Sequence, residues 1–264
     1  VFITMVKEDS VWALMIEEAR NLVDAEPDMM SFVQRSILDH ICFDSALSYN
    51  LANQLNEQDL SFSSYTSIIQ DAMGADPSIG VSMRLDIIAC FERDAACDKY
   101  LIPLLFFKGF QALQLQRIAH WYWTNNRKAL AYFLQSKMAE NFDVDIHPGA
   151  QIGSGIMIDH AVGLVVGETT VIGDNVSILH SVTLGGSGSV TAKRSPKVSD
   201  GVMISAGAKV IGDITIGEGA KIGAGSLVLH SVAPHVTVAG VPGVVVGAPL
   251  EKMPALEMNQ NLDN

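Results

Sequence analysis

The sequence predicts an α+β protein of two domains. An α-helical domain over residues 1–142 precedes a parallel β-helix over 143–249, and a polar, mobile tail closes the chain at 250–264. Three observations predict this. Before Phe142 the apolar residues follow helical spacing. From Ile146 onward an aliphatic residue returns every sixth position, a period that neither an α-helix nor a flat strand produces. The change between the two patterns falls at Phe142 to Asp145, which places the domain boundary.

The helical elements come first. Val11, Met15, Ala19 and Leu22 lie on one face of an amphipathic helix. Asp76-Pro77 reads as an N-cap followed by proline at the first helical position. A long apolar helix is predicted after Pro103, through Leu104, Gly109, Leu113 and Arg117 to Trp123. A turn follows at Thr124-Asn125-Asn126, and a further helix runs from Lys128 to about Met138.

The six-residue pattern opens with Ile146, Ile152, Ile158 and Leu164. After a two-residue slip it continues through Val166, Ile172, Ile178 and Leu184, and after a loop through Val198, Ile204, Val210, Ile216, Ile222 and Val228. A fixed period means one unit stacked on copies of itself. Six residues suit a very short strand and a sharp corner. Three such sides close a coil of about 18 residues, and coils stack at about 4.8 Å, the spacing of neighbouring strands. The aliphatic residue then points inward, and glycines such as Gly153, Gly173, Gly217 and Gly223 sit where the backbone bends. The insertion at 185–197 projects from a corner without disturbing the stack, a common arrangement for loops that carry function.

Composition narrows the partners. A net charge of −12 argues against nucleic acid or an anionic membrane surface. The longest apolar run, Tyr100 to Phe107, is broken by Pro103 and falls far short of the roughly 18 residues that span a bilayer. No signal-peptide pattern is present, which makes the cytoplasm the expected location. Cys42, Cys90 and Cys97 have no metal-ligand spacing and read as buried thiols of a reducing compartment. Between Gly185 and Lys221, the cations Lys193, Arg194, Lys197, Lys209 and Lys221 outnumber Asp200, Asp213 and Glu218, a local excess that suits a small anionic ligand. His147, His180, His230 and His235 form no metal pattern and read as structural or surface residues.

Five segments carry a resemblance to a known family: SALSYNLANQL (45–55), DKYLIPLLFFKGFQALQLQRIAHWYW (98–123), VDIHPGAQIGSGIMIDHAVGLVVGET (144–169), SILHSVTLGG (177–186) and GVMISAGAKVIGDITIGEGAKIGAGSLVL (201–229). Together the chain resembles serine O-acetyltransferase, a hexapeptide-repeat acyltransferase of cysteine biosynthesis. The resemblance implies a left-handed β-helix, and a reaction in which acetyl-CoA acetylates the hydroxyl of L-serine. A serine hydroxyl attacks a thioester poorly until a base takes its proton, and a neutral histidine is suited to that step. His160 is the candidate base, and Asp145 the carboxylate that fixes its tautomer. By the same resemblance Asp94 and Asp159 face the ammonium of serine. Arg194 takes its carboxylate, which the planar guanidinium fork matches. Gly186, Ala206, Gly207, Lys221 and Ala224 are the candidates for the acetyl-CoA groove, with Lys221 on a phosphate. No metal is implied, and no cysteine is expected near the base.

One position departs from the family. Histidine usually follows the loop arginine, and Ser195 stands there in this chain. A hydroxyl keeps a neutral hydrogen bond, worth about 0.5–1.5 kcal/mol, in place of a charge-assisted one worth about 1.5–3 kcal/mol. The expectations are a raised KM for L-serine and altered inhibition by cysteine. Two competing readings stay open: an acetyltransferase for another hydroxyl or amino acceptor, and a non-catalytic scaffold subunit. The resemblance further implies a homotrimer, paired into a hexamer through the helical domain. Relatives anchor cysteine synthase through a C-terminal isoleucine. This sequence ends Asn261-Leu262-Asp263-Asn264, so the expected complex is weak or absent, or the tail is shortened.

Overall fold

The computed structural model describes residues 9–55, 59–188 and 194–262. Its first half is helical: α1 (Ser10–Ala25), α2 (Met30–Val33), α3 (Phe43–Gln54), α4 (Phe62–Ala75), α5 (Pro77–Arg93), α6 (Leu101–Phe106), α7 (Lys108–Thr124) and α8 (Lys128–Phe142). Val11, Met15 and Ala19 are buried, as the spacing requires. The Asp76 side chain accepts the Ser78 N–H and caps α5, with Pro77 at its first position. The single helix expected after Pro103 is two. α6 closes when the Phe107 N–H reaches the Pro103 carbonyl at 3.2 Å, Phe107 is extended, and α7 restarts at Lys108. Asp143 ends α8 in the left-handed conformation.

The second half is a three-sided solenoid of parallel strands. One sheet stacks β1 (Val144–Ile146), β4 (Leu164–Val166), β7 (Thr183–Gly185), β10 (Lys209–Ile211) and β13 (Leu227–Val228). The second stacks β2 (Gln151–Ile152), β5 (Val171–Ile172), β8 (Lys197–Val198) and β11 (Thr215–Ile216). The third stacks β3 (Met157–Ile158), β6 (Ser177–Ile178), β9 (Met203–Ile204), β12 (Lys221–Ile222), β14 (Thr237–Ala239) and β15 (Val244–Gly247), the last antiparallel to β14. Inside, Ile146, Val166, Leu184, Val210 and Val228 are all buried.

Register explains both irregularities of the period. Val165 pairs Thr183 and Lys209 pairs Leu227, each eighteen residues on. Val144 pairs Leu164 at twenty, so the slip is a two-residue expansion of the corner between Ile158 and Val166. Thr183 pairs Lys209 at twenty-six, which absorbs the insertion. Residues 189–193 of that loop, Lys193 included, lie outside the described residues.

A buried ionic clamp joins the two halves. The Asp86 side chain is fully buried in α5 and accepts from Arg117 of α7 at 2.8 and 3.0 Å, and from the Ile156 N–H of the first coil at 2.9 Å. Arg117 also donates to the carbonyls of Ile152 and Gly153. Desolvation pushes the Asp86 carboxyl up against the opposing pull of Arg117, so this pair acts through geometry and satisfied donors more than through net Coulomb gain.

The tail differs from the sequence expectation of a mobile segment. It folds back on the third sheet, forms α9 (Pro254–Glu257), and buries Pro254 and Ala255. Ser177 Oγ donates to the Ala255 carbonyl at 2.8 Å, and Met253 fills the space above Gly201. Apolar contacts that a composition count does not reveal hold it there. Among the described residues, no helix is long and apolar enough to cross a membrane.

Candidate active site

His160 sits on the expanded corner. It and Ala161 both adopt left-handed backbone (φ 56° and 65°), uncommon for residues with a side chain and a mark of local strain. The conformation turns the imidazole outward, with 71% of its side chain exposed. Helix α7 reaches the same corner through Gly109. A Cβ there would lie 2.1 Å from the Ile158 carbonyl oxygen, so only glycine permits this approach. This is the structural content of the Lys108-Gly109-Phe110 motif.

His160 overlooks a cavity of about 460 Å³ between the helical domain and the first coil, lined also by Asp94, Asp159, Cys90, Phe107 and Lys108. Asp159 Oδ1 is 3.7 Å from His160 Nε2. Burial pushes the Asp159 carboxyl above the ordinary range. Neighbouring Asp94 adds to the rise, while His160 and His180 oppose it. Asp94 ends α5, and its Oδ1 caps the Ala96 N–H at 2.8 Å. Three of the residues nominated from sequence therefore share one cavity. Asp145 is outside it, exposed on β1, where its Oδ1 accepts from Gln135 at 2.7 Å. No hydrogen bond joins Asp145 to His160 among the described residues.

Sequence reasoning placed no cysteine here, yet Cys90 lines the cavity. Burial raises its thiol well above the ordinary value, which keeps it protonated and a poor nucleophile. His180, read as structural, packs edge-to-face on His160 with centroids 5.6 Å apart. The period carried that signal: His160, His180, Ala206 and Ala224 each stand two residues after an inward isoleucine. Corner hydrogen bonds from Ser181 to Val162, Gly207 to His180, and Gly225 to Ala206 stack them in one column. Ala206, Gly207 and Ala224 thus continue the column that begins with the two imidazoles.

The remaining candidates lie elsewhere on the protomer. Arg194 Nη2 is 2.6 Å from Glu168 Oε2, and the arginine stem rests where a Cβ on Gly186 would meet it at 3.0 Å. Ser195 is buried. Its Oγ has no hydrogen-bond partner among the described residues and faces Gly167, at the edge of a second cavity of about 330 Å³ lined by Trp123, Glu168, Thr169 and Lys197. Beside it, Trp123, Tyr132 and His147 pack edge-to-face. Burial pulls the His147 imidazole down, opposed by Glu168 and Asp145. Lys221, expected on a phosphate of acetyl-CoA, is buried under the tail and donates to the Asn261 carbonyl. Desolvation pulls its ammonium below the ordinary value. Among the described residues no cluster of histidine, cysteine and carboxylate side chains has the arrangement of a metal site.

A three-sided prism of hexapeptide coils, with an outward histidine at a corner and a helical domain closing one side of its cavity, defines the class of hexapeptide-repeat acyltransferases. Residues 11–115 match the model described as "Serine acetyltransferase, N-terminal", and residues 195–230 match "Bacterial transferase hexapeptide (six repeats)". The serine acetyltransferase of Salmonella typhimurium is 51% identical over 253 residues, covering 96% of this chain and 93% of that protein. The crystal structure of serine acetyltransferase from Vibrio cholerae superimposes with a TM-score of 0.95 at 48% identity, covering 97% of this chain and 99% of that one. A serine acetyltransferase solved in complex with CoA matches at a TM-score of 0.87 and 49% identity over 90% of this chain and 99% of that one. The Neisseria gonorrhoeae enzyme in complex with serine matches at 0.86 and 48%, over 89% of this chain and 96% of that one. The chain belongs to the serine acetyltransferase family.

Proposed function

We propose that this protein transfers the acetyl group of acetyl-CoA to the hydroxyl of L-serine, giving O-acetyl-L-serine and CoA. The observation that carries the reading is the shared cavity of His160, Asp159 and Asp94. It sets a base beside two carboxylates of the kind an ammonium requires, within a chain whose relatives are solved with CoA and with serine.

His160 takes the hydroxyl proton as the serine oxygen attacks the thioester carbonyl. The tetrahedral adduct collapses, the carbon–sulfur bond breaks, and the proton passes from the imidazolium to the departing thiolate. No acyl-enzyme forms, in keeping with the protonated state of Cys90. Asp94 and Asp159 bind the ammonium. Asp145 is assigned the orientation of the imidazole once both substrates are bound. Arg194, with Ser195 behind it, supplies the cation for the serine carboxylate. Because Arg194 lies beside the second cavity of the protomer, we assign it to the neighbouring subunit's site in a trimer. Exposed Val162, Val165 and Leu229 on the prism surface support such packing. Acetyl-CoA is assigned to the edge of the corner column at Gly186, Ala206, Gly207 and Ala224, with Lys221 within reach of a phosphate once the tail lifts. Pairing of trimers into a hexamer and a cytoplasmic location belong to the same reading.

A second reading, acetyl transfer to another hydroxyl or amino acceptor, is favoured by Ser195, which is buried and presents no charge. Steady-state release of CoA thiol with L-serine, L-homoserine and simple amino alcohols tests both. L-Serine is expected to give the highest kcat/KM, and a clearly higher value for another acceptor overturns the assignment.

A further inference from the structure

The end of α5 is tied to the prism by a cation that lacks a counter-charge. Arg93, the last residue of that helix, is only 9% exposed. Its Nη1 donates to Ser177 Oγ at 3.3 Å and its Nη2 to Asn175 Oδ1 at 3.1 Å. Ser177 gives its own hydroxyl proton to the Ala255 carbonyl, so toward Arg93 it acts as acceptor. A Cβ on Gly155 would lie 2.7 Å from Asn175 Oδ1, and glycine there leaves that oxygen to the guanidinium. Among the described residues no carboxylate comes within ion-pair distance of Arg93, and its Nε has no hydrogen-bond partner. Burial pulls the guanidinium below its ordinary value, opposed by other groups of α5. A buried charge without an ionic partner costs stability. An apolar side chain of similar length would fill the space without that cost, so packing does not account for an arginine here.

The next residue shows what the tie can do. Asp94 begins the turn that leaves α5. Its N–H reaches the Cys90 carbonyl at 3.0 Å and its Oδ1 accepts the Ala96 N–H, which leaves Oδ2 for a ligand. Ser177 opens β6, and β6 pairs with β3: Met157 lies opposite Ser177 and Ile158 opposite Ile178. Just past β3, the Asp159 N–H donates to the Ile178 carbonyl at 2.8 Å. One strand therefore fixes both carboxylates of the acceptor cavity, Asp159 through backbone pairing and Asp94 through Arg93. The two carboxylates repel, and Asp94 contributes to the raised Asp159 carboxyl. Helix ends fray, so without a restraint on α5 the pair would spread whenever no cation lies between them. We propose that Arg93 is a positioning residue for acceptor binding, which pins the end of α5 to β6 and holds Asp94 and Asp159 at a spacing that one ammonium can bridge. The inference rests on the reading of Asp94 and Asp159 given above.

A double-mutant cycle on the full chain tests this, using Arg93→Met, Asp94→Asn and the pair. KM for L-serine, KM for acetyl-CoA and kcat are read separately, beside the urea midpoint of unfolding. Arg93→Met should raise KM for L-serine by about 10-fold and change kcat by less than about threefold, the pattern of lost ground-state binding. KM for acetyl-CoA should stay within about twofold, and the urea midpoint should hold or rise, because a buried unpaired charge has been removed. In the Asp94→Asn background the same substitution should change KM for L-serine by less than about twofold, because the carboxylate it positions is gone. Arg93→Lys, which keeps the charge but lacks the planar fork, should fall between wild type and methionine, and it replaces methionine in the cycle if Arg93→Met does not fold. An unchanged KM for L-serine in Arg93→Met, additive effects in the cycle, or both KM values and kcat worsening together with a lowered urea midpoint overturn the proposal. An Asp94→Asn enzyme with wild-type KM overturns the ammonium assignment of Asp94 itself, which separates failure of the earlier reading from failure of this one.

Discussion

The first coil of the prism and the later coils are built on one period but serve different ends. Between Ile178 and Leu184, Ile204 and Val210, and Ile222 and Val228 the corner takes six residues. Between Ile158 and Val166 it takes eight. The inner aliphatic stack tolerates this because register is restored at Val166, opposite Ile146. The added length lets the chain turn left-handed at two successive residues and hold an imidazole clear of the sheet. The next corner turns left-handed at Ser181 and presents His180, while the two below it use Gly207 and Gly225 for their left-handed turns and present only methyl groups beside them. The first coil is also the braced one, with α7 against it at Gly109 and the Asp86–Arg117 clamp beneath. Chemistry sits where the repeat is locally broken and externally supported. The regular coils supply a plain edge.

The sharpest way to break this comparison is to remove the imidazole. His160→Ala should lower kcat by about 10²–10⁴-fold, the usual worth of a general base, with thermal unfolding little changed. Retained turnover in a thiol-release assay would put the chemistry elsewhere. Removing the brace comes next. Arg117→Met or Asp86→Leu alone strands a buried charge and should cost about 3–5 kcal/mol in urea unfolding, while the double substitution recovers much of that loss. Gly109→Ala forces a Cβ onto the Ile158 carbonyl and should cost about 1–3 kcal/mol. Its kcat should fall further than that of a matched substitution at Gly225, whose added Cβ meets nothing within 4 Å.

The smallest effect is on pH dependence. Burial and Asp94 raise the Asp159 carboxyl, so it takes up its proton at a higher pH than an ordinary aspartate does. Protonation removes the charge that meets the ammonium. KM for L-serine should therefore begin to rise while the pH is still above the usual carboxylate range, and Asp159→Asn should flatten that rise. A wild-type KM that stays constant through this window would remove Asp159 from the ammonium site.

Much of this was legible beforehand, and the exceptions have physical reasons. The prism follows from spacing alone, since inward positions must be apolar whatever surrounds them. Handedness came with the family resemblance. The slip between Leu164 and Val166 was visible, but only strand register shows that it enlarges the corner bearing His160. The split at Phe107 was hidden because apolar residues continue across it. Cys90 reached the cavity through the docking of α5 on β3, a long-range contact with no local signature. The tail read as polar because its anchors, Met253, Pro254 and Ala255, are few and spaced among polar residues. The burial of Lys221 was hidden for the same reason: its cover comes from forty residues downstream.

By itself the sequence determined the period, the interior, the corner glycines where a side chain would clash and the residue types able to move a proton. These depend on neighbours in the chain and on the avoidance of water by aliphatic groups. Tertiary structure alone decided which polar groups meet: Asp94 with Asp159 and His160, Glu168 with Arg194, and the tail with Lys221. Such meetings join residues tens of positions apart, and they are selected by the docking of two domains and the stacking of coils. No local pattern records them.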